Sequence, residues 1–454
     1  MRIFDAVVVG SGFGGAVAAC RLAERGRSVC VLERGRLWAR EDFPRAEQTN
    51  ARWWFRPGAA GRAAESGLFD LRRFEGMNVI VAAGVGGGSL VYTNVQKIPP
   101  AAAFAGWPRQ SRGWPEPISL HSLRPYYERV REMLEPQPIP HPLQRIAAFQ
   151  ASHAAAGRAG GVELPPLAIR WGEGDEERVN RFGASQKSCN LCGQCVFGCD
   201  RHAKNTLDLN YLKRAEALGA EIWPLSQVIR LAPREAGRPA AVGYEVSFRR
   251  LPDRGKPSAP REEKVFGRSL YLAAGSLGTT ELLLRSRDID RTLPNLSPRL
   301  GQGWSANGDF FAGLVGSQIP IVPTVGPSVA AGYAASPGEE FYVLEGAIPA
   351  PVVASRKSLL RLANRLVSLQ QFFSGKRPGV DPPLAPPRAC ADEETEELLR
   401  NLGVFFLMGR DASQGRLQLD NRGSLELNWD PSKSQQLLSR MRRYLQGLGR
   451  AYGG

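Results

Sequence analysis

The first fifteen residues contain the feature that most constrains the fold, an apolar strand pattern that runs directly into a glycine-rich turn. The apolar residues 6–9 are followed by Gly10, Gly12 and Gly15, and helix-forming residues come next. A second apolar run further along the chain ends in Glu33. A strand, a G-x-G-x-x-G turn, a helix start and a later acidic residue together predict a Rossmann-like βαβ unit that binds a dinucleotide.

Each part of this unit has a physical role in the prediction. Gly10 allows the tight turn, Gly12 lets the backbone approach a pyrophosphate, and Gly15 lets the helix pack closely on the strand. Free N–H groups at the helix N-terminus favour phosphate, and Glu33 would accept hydrogen bonds from ribose hydroxyls. A glycine turn that binds no ligand is the alternative. The predicted contacts within the turn are Gly10, Ser11, Gly12, Phe13, Gly14 and Gly15.

Length and composition limit the remaining classes of protein. A chain of 454 residues with 43% hydrophobic residues is long enough for two globular domains. No apolar run approaches the roughly 20 residues needed to cross a bilayer, and the first strand begins too early for a signal peptide. The net charge of +15 is dispersed along the chain, which argues against a nucleic-acid site. We therefore expect a cytoplasmic protein, and peripheral attraction to anionic membrane surfaces stays open.

Residues 84–94 form a second glycine-rich segment, which has glycine at four of its first five positions. A backbone without side chains can lie against a flat ligand, and polar side chains beside it could contact the edge of that ligand. A flexible surface loop is the alternative, but the apolar residues on both sides favour ligand contact. The predicted contacts are Gly84, Gly86, Gly88, Ser89 and Asn94.

Four of the seven cysteines follow the spacing C-x2-C-x2-C-x3-C, namely Cys189, Cys192, Cys195 and Cys199. This spacing resembles half of a ferredoxin motif, so a [4Fe–4S] cluster is one interpretation. Cys390, remote in sequence, could supply a missing ligand. A zinc ion held by thiolates and a loop of structural thiols are the other interpretations. A disulfide is disfavoured in the expected compartment.

Further motifs follow in a fixed order along the chain. They are Ala-Lys-Asn-Thr at 203–206, Asn-Tyr-Leu at 210–212, a glycine-containing turn at 273–279, Asn-Gly-Asp at 307–309, Met-Gly-Arg-Asp at 408–411 and Leu-Asn-Trp at 427–429. Together with the amino-terminal βαβ unit, this ordered set resembles the glucose–methanol–choline (GMC) oxidoreductases, and within them the cholesterol-oxidase-like branch.

The resemblance implies FAD as the cofactor and an α/β fold, in which a Rossmann-like FAD-binding domain is joined to a second, sheet-based (α+β) substrate domain. Residues 1–100 and 186–312 would form the FAD-binding domain, and the cysteine motif would lie in its second part. Residues 101–185 would supply substrate or cap segments, and residues 313–454 the substrate-binding domain. The further cofactor contacts that the resemblance implies are Arg34, Val228, Ala274 and Gly275.

The resemblance also implies a reaction, the oxidation of the hydroxyl group of a sterol or another bulky apolar alcohol. Hydride would pass to flavin N5 while a base takes the hydroxyl proton. Residues 341–349 resemble the cholesterol-oxidase strand that carries a glutamate over the substrate, so Glu345 is the candidate base. Its neighbours Leu344 and Ala347 would desolvate the carboxylate, as general-base catalysis favours. A glutamate that faces outward from an alternating strand is the alternative.

Members of this family end with a His-Pro-Leu-Gly-Gly-type stretch and an Asn-Pro segment, which carry an active-site histidine and asparagine. This chain ends at Gly454 before either segment, so we expect a truncated C-terminus. Two alternatives to a sterol-type oxidase therefore stay open. One is an iron–sulfur-containing FAD alcohol dehydrogenase with an acceptor other than oxygen, and the other is a flavin-binding fragment without turnover.

Periodicity predicts several elements outside these motifs. Residues 265–273 have a strand pattern, and residues 125–134 and 279–286 have helix patterns. Residues 355–374 have the pattern of a basic amphipathic helix. Such a helix could lie in a membrane interface or cover an apolar substrate pocket, and an ordinary core-facing helix is the alternative.

Overall fold

The computed structural model describes residues 1–45, 53–56, 65–104, 118–234, 242–253, 261–334, 341–349 and 399–453. The α-helices with bounds in this part of the chain are α1 (Phe13–Ala23), α2 (Leu120–Leu134), α3 (Gln144–Ala155), α4 (Tyr211–Ala217), α5 (Gly275–Asp288) and α6 (Gln435–Ala451). The first ten strands are β1 (Arg2–Val9), β2 (Val29–Leu32), β3 (Phe55–Arg56), β4 (Glu65–Ser66), β5 (Phe69–Phe74), β6 (Met77–Ala82), β7 (Val162–Glu163), β8 (Glu177–Val179), β9 (Ser185–Lys187) and β10 (Glu221–Trp223). They are followed by β11 (Ser226–Arg234), β12 (Gly243–Arg250), β13 (Arg261–Leu272), β14 (Gln302–Trp304), β15 (Phe310–Leu314), β16 (Val329–Ala334), β17 (Phe341–Gly346), β18 (Gly403–Gly409), β19 (Gly415–Leu419) and β20 (Leu425–Asn428).

The first sheet has six strands in the order β10-β2-β1-β13-β12-β11. The first four are parallel, and Val8 of β1 pairs with Val31 on one side and with Tyr271 on the other. The ends of β1 and β2 next to the glycine turn are buried on both faces, as expected for parallel strands that are covered by helices. α1 packs its small residues Ala16 and Ala19 on one of these faces. The predicted Rossmann-like α/β fold is therefore confirmed.

The second sheet has five strands in the order β15-β18-β17-β16-β7, and its strand pairs are antiparallel. One face packs against α3 and α6 through a core that includes Phe149, Phe405 and Met441. Period-two alternation in β18 directs Phe405 and Leu407 into this core. The arrangement matches the sheet-based second domain that we predicted. Smaller sheets are β14-β19-β20, β3-β4, β5-β6 and β8-β9.

The opposite face of the second sheet is also apolar. Leu344, Phe406 and Phe311 are register partners across three neighbouring strands, and the two phenylalanine rings lie 5.0 Å apart. Phe311 is 36% exposed and Met408 is 37% exposed. An antiparallel sheet usually turns a polar face to water, so this face has the character of a surface that packs against another apolar group.

Some predictions lie at or beyond the limits of the described residues. The predicted domain boundary between residues 312 and 313 lies inside β15, and the four domain ranges stay predictions. The predicted helix over 355–374 and Cys390 lie outside the described residues. Among the helices of the described ranges, none is long and apolar enough to cross a membrane.

Candidate cofactor and active site

The glycine turn after β1 adopts a conformation that other residues could not easily adopt. Gly10 has a φ of +95°, and a Cβ atom on it would lie 2.4 Å from the carbonyl oxygen of Ala273. A Cβ atom on Gly15 would lie 1.9 Å from the carbonyl oxygen of Gly10. Both separations are far below van der Waals contact, so these glycines permit the close packing of turn, helix and β13.

Two helices begin at the same edge of the first sheet. α1 follows β1 and α5 follows β13, and these strands are neighbours. No side chain caps either N-terminus, where Gly12 and Ala274 are the N-cap residues. A Cβ atom on Gly275 would meet no atom within 4 Å. Uncapped first-turn N–H groups and open space beside them are what an anionic diphosphate needs.

Glu33 lies at the end of β2 and is 5% exposed. One carboxylate oxygen accepts hydrogen bonds from the Ser11 backbone N–H at 3.0 Å and from its hydroxyl at 2.6 Å. The other oxygen accepts from the Gly35 backbone N–H at 2.8 Å. An ionised carboxylate has about four acceptor positions, so Glu33 can hold the turn in shape and still accept from a ribose. The turn-fixing role was not evident from the sequence.

The 84–94 segment packs directly on the glycine turn. A Cβ atom on Gly87 would lie 2.6 Å from the Cα atom of Gly12. The Gly86 N–H donates to the hydroxyl of Ser11 at 3.1 Å, so the two glycine-rich segments are hydrogen-bonded to each other. A Cβ atom on Gly88 would meet nothing within 4 Å, which leaves open space on that side of the segment.

The predicted polar contacts of this segment divide into two kinds. The Ser89 hydroxyl donates to the Gly86 carbonyl at 2.7 Å and accepts from the Leu207 N–H at 3.1 Å, so it is used within the protein. Asn94 is fully buried with a φ of +70°, and among the described residues both its amide nitrogen and its amide oxygen lack a hydrogen-bond partner. Buried polar atoms are rarely left unpaired, so Asn94 fits a site that receives the polar edge of a flat ligand.

Three other predicted contacts have protein partners instead. Arg34 pairs with Asp70 at 2.6 Å. Val228 lies in the apolar core of the first sheet. A Cβ atom on Gly84 would lie 2.5 Å from the Trp38 ring, so packing against that indole accounts for this glycine. The Gly84 carbonyl oxygen also accepts from the Ser11 hydroxyl of the glycine turn at 3.4 Å. The ligand contacts of Arg34, Val228 and Gly84 stay predictions.

Cys189, Cys192, Cys195 and Cys199 are free thiols that line a single cavity. Burial raises the pKa of Cys192 to about 11. Within the described residues, no group of three or more His, Cys, Asp or Glu side chains is arranged to hold a metal ion. The zinc interpretation therefore stays a prediction. The iron–sulfur cluster and the loop of structural thiols stay predictions as well.

Glu345 is 3% exposed and lies in β17. One carboxylate oxygen is paired with the Arg145 guanidinium. The other oxygen accepts from the backbone N–H groups of Ala330 and Ala331 at 2.9 and 2.8 Å. Burial was predicted, but the ion pair with Arg145 and the two backbone donors were not. The general-base role stays a prediction, and the described contacts favour a structural one.

Sequence reasoning assigned no role to two charged residues behind the 84–94 segment, Lys204 and Asp208. Lys204 is 1% exposed, and burial lowers its pKa to about 8. One carboxylate oxygen of Asp208 is buried without a partner among the described residues, and it lies 3.1 Å from the position of a Cβ atom on Gly86. The signal available in the sequence was a pair of charges in the otherwise neutral stretch 203–212.

Asp208→Asn should stabilise the cofactor-free protein in a pH-dependent way. Burial raises the pKa of Asp208 to about 6, above its unfolded value of about 3.9. The native state therefore holds this proton more tightly, and the stability of the wild type falls as pH rises from about 4 to 6. We expect the substitution to add about 3 kcal/mol at pH 7.5 and about 1 kcal/mol at pH 4.5, measured by urea unfolding. An equal gain at both pH values would contradict the assignment.

Comparison with known proteins agrees with this geometry. The family model described as GMC oxidoreductase matches residues 4–291. A cholesterol oxidase of Acinetobacter baumannii is 32% identical over 320 residues, which are 68% of this chain and 55% of that protein. A cholesterol oxidase of Mycobacterium tuberculosis is 31% identical over 324 residues, 68% of this chain and 52% of that protein. The chain thus spans about half the length of the curated relatives it matches.

A solved structure supports the fold independently. Pyridoxine 4-oxidase from Mesorbium loti aligns with a TM-score of 0.53 at 17% identity, covering 99% of this chain and 80% of that one. At this identity the match concerns the fold alone. The family match extends from β1 to the end of α5, and so covers the glycine turn, Glu33, the 84–94 segment and the cysteine motif. The chain belongs to the GMC oxidoreductase family.

Proposed function

We propose that this chain contributes an FAD-binding fold and an apolar substrate surface to an enzyme that oxidises the hydroxyl group of a sterol or another bulky apolar alcohol. The observation that carries the proposal is the uncapped N-terminus of α1 beside Gly12, with Glu33 at the end of the neighbouring strand. Relatives that are named cholesterol oxidases support the choice of reaction.

The residues of the first sheet would bind and orient the cofactor. The first-turn amides of α1 and α5 would bind the diphosphate, and Glu33 would accept from the ribose. Gly88 leaves space for the flavin ring, and Asn94 offers a donor and an acceptor to its polar edge. When bound, FAD accepts the hydride from the carbon that carries the hydroxyl group.

The second sheet would supply the apolar surface for the substrate. Its face away from α3 and α6 carries the exposed Phe311 and Met408 and the half-buried Phe406, beside the buried Leu344. A bulky hydrocarbon skeleton would gain about 25 cal/mol for each Å² of apolar surface that this face covers. Small polar alcohols would gain little binding free energy from this face. We therefore expect kcat/KM to rise with the apolar surface area of the alcohol.

Activity assays would test the proposal on the longest natural protein that contains this chain. We expect about one FAD per chain and the highest kcat/KM with a sterol or a long-chain alcohol. We expect an amino sugar to be a poor substrate. It is a useful comparison because a relative that is 28% identical over 295 residues is named paromamine 6'-oxidase. Failure to bind FAD would overturn the proposal, and a preference for the amino sugar would overturn its substrate class.

The role of Glu345 can be tested in the same assay. Loss of a general base should lower turnover by about 100-fold in Glu345→Gln. A residue that only pairs with Arg145 should instead lower stability, while turnover per bound flavin stays within about threefold of the wild type. Turnover must therefore be normalised to the flavin that each preparation retains.

A second candidate is an iron–sulfur-containing FAD alcohol dehydrogenase with an acceptor other than oxygen. It is favoured by the way Cys189, Cys192, Cys195 and Cys199 share one cavity. Anaerobically purified protein should then contain about four iron and four sulfide ions per chain and show a cluster signal by electron paramagnetic resonance. Cys195→Ser should lose this iron, whereas Cys20→Ala, which changes a buried thiol of α1, should keep it. Iron-free wild-type protein with full FAD would remove this candidate.

A further inference from the structure

Lys204 is a buried lysine whose ammonium group is bonded to backbone. Its Nζ atom donates to the carbonyl oxygens of Leu90 at 3.0 Å, Tyr92 at 2.7 Å and Cys195 at 2.9 Å. The same atom lies 4.7 Å from the centre of the Tyr92 ring. All three ammonium protons therefore have acceptors, and none of these acceptors carries a full negative charge.

Two of the three acceptors belong to the 84–94 segment. Lys204 and the N–H of Leu207 hold this segment from one side. Ser11 of the glycine turn holds it through the Gly86 N–H. The segment is thus fixed at several points, and Gly88, where a Cβ atom would meet open space, lies between them.

The charge of Lys204 has a consequence for any ligand on this segment. Asp208, Cys195 and Cys199 interact with Lys204 through space, but among the described residues the bonds of its Nζ atom go to backbone carbonyls only. The field of such a buried cation acts strongly through a medium of low dielectric constant. This field stabilises negative charge on a ligand that lies against the 84–94 segment. Flavin becomes an anion when it takes up two electrons at neutral pH, so the reduced ring is the form that this cation would favour.

We propose that Lys204 is a positioning residue that holds the 84–94 segment in shape, and that its charge favours the anionic reduced flavin. This inference rests on the proposed function, since it requires FAD on that segment. It assigns to Lys204 a role in setting the reduction potential of the flavin, in addition to the hydrogen bonds that shape the segment.

The test uses Lys204→Met and Lys204→Gln in the FAD-loaded protein, with Lys213→Met as the matched control. Lys213 is a half-exposed lysine of α4, whose nearest ionic contact is Glu216 at 3.6 Å. Sulfite is a suitable probe, because its addition to flavin N5 leaves a negative charge on the ring. We expect sulfite affinity to fall by about tenfold or more in both Lys204 variants, with a more negative flavin midpoint potential and no change in Lys213→Met.

The possible results distinguish a failure of the proposed function from a failure of the role given to Lys204. A wild-type protein that binds no FAD would overturn the proposed function itself. Folded Lys204 variants that bind FAD with wild-type sulfite affinity and wild-type potential would overturn the role of Lys204 and leave the proposed function standing. Lys204→Gln keeps a donor for the carbonyl groups while it removes the charge, so it allows the measurement should Lys204→Met not fold.

Discussion

Gly15→Ala should lower the affinity of the protein for FAD by about 100-fold, which corresponds to about 2.8 kcal/mol. The added methyl group would lie 1.9 Å from the Gly10 carbonyl oxygen and 3.2 Å from the Ala273 side chain. Helix α1 would have to move away from the turn, and its first-turn amides would move with it. Overpacking of this kind typically costs about 1–3 kcal/mol, and here the displaced groups are those that would bind the diphosphate.

Gly447→Ala is the matched control for this substitution. Gly447 lies inside α6, which packs on the second sheet, and a Cβ atom on it would meet nothing within 4 Å. We expect FAD affinity to stay unchanged and helix stability to rise by about 0.5–1 kcal/mol. Titration of flavin fluorescence measures the affinity, and far-ultraviolet circular dichroism checks the fold. Tight FAD binding by Gly15→Ala would contradict the role given to the turn.

Arg145→Met should destabilise the second domain by about 3–5 kcal/mol. Arg145 is 1% exposed and pairs with Glu345, so its removal leaves a buried carboxylate without its counter-charge. It also donates to the carbonyl oxygens of Val325 at 2.9 Å and Pro327 at 2.5 Å. Urea unfolding, monitored by the intrinsic fluorescence of the domain, would measure the loss in the free energy of unfolding. A loss below about 1 kcal/mol would show that the ion pair contributes little.

The double variant Arg145→Met with Glu345→Gln identifies the cause of that loss. The introduced glutamine side chain keeps an amide oxygen that can accept from Ala330 and Ala331 but carries no charge. If the unpaired charge causes most of the loss, the double variant should recover at least half of it. Absence of recovery would instead assign the loss to the carbonyl oxygens of Val325 and Pro327.

Local patterns predicted the elements that short-range physics determines. The strand, turn, helix and second strand around Gly10 were predicted because the spacing of apolar residues and the positions of glycines are local features of the sequence. Helix ends were less accurate. The predicted helix over 125–134 begins at Leu120, because Ser119 and Ser122 form a capping box that outweighs Pro125. The predicted helix over 279–286 extends over Gly275–Asp288.

Long-range partners could not be predicted in the same way. Arg145 and Glu345 lie 200 positions apart in sequence, and no local period indicates that they meet. Glu33 was assigned to a ribose, but its bonds to Ser11 depend on how β2 lies beside the turn. Lys204 and Asp208 were overlooked for the same reason, because the segment they support lies more than 100 positions earlier in the chain.

The parallel pairing of β1 with β13 has a consequence for biosynthesis. Arg2 pairs with Val265 and Val9 with Leu272, so β1 leaves the ribosome 263 residues before its partner residues in β13 do. Contacts this distant in sequence form slowly, and an unpaired strand edge invites pairing with other nascent chains. We expect the nascent chain to depend on chaperones until β13 has emerged from the ribosome.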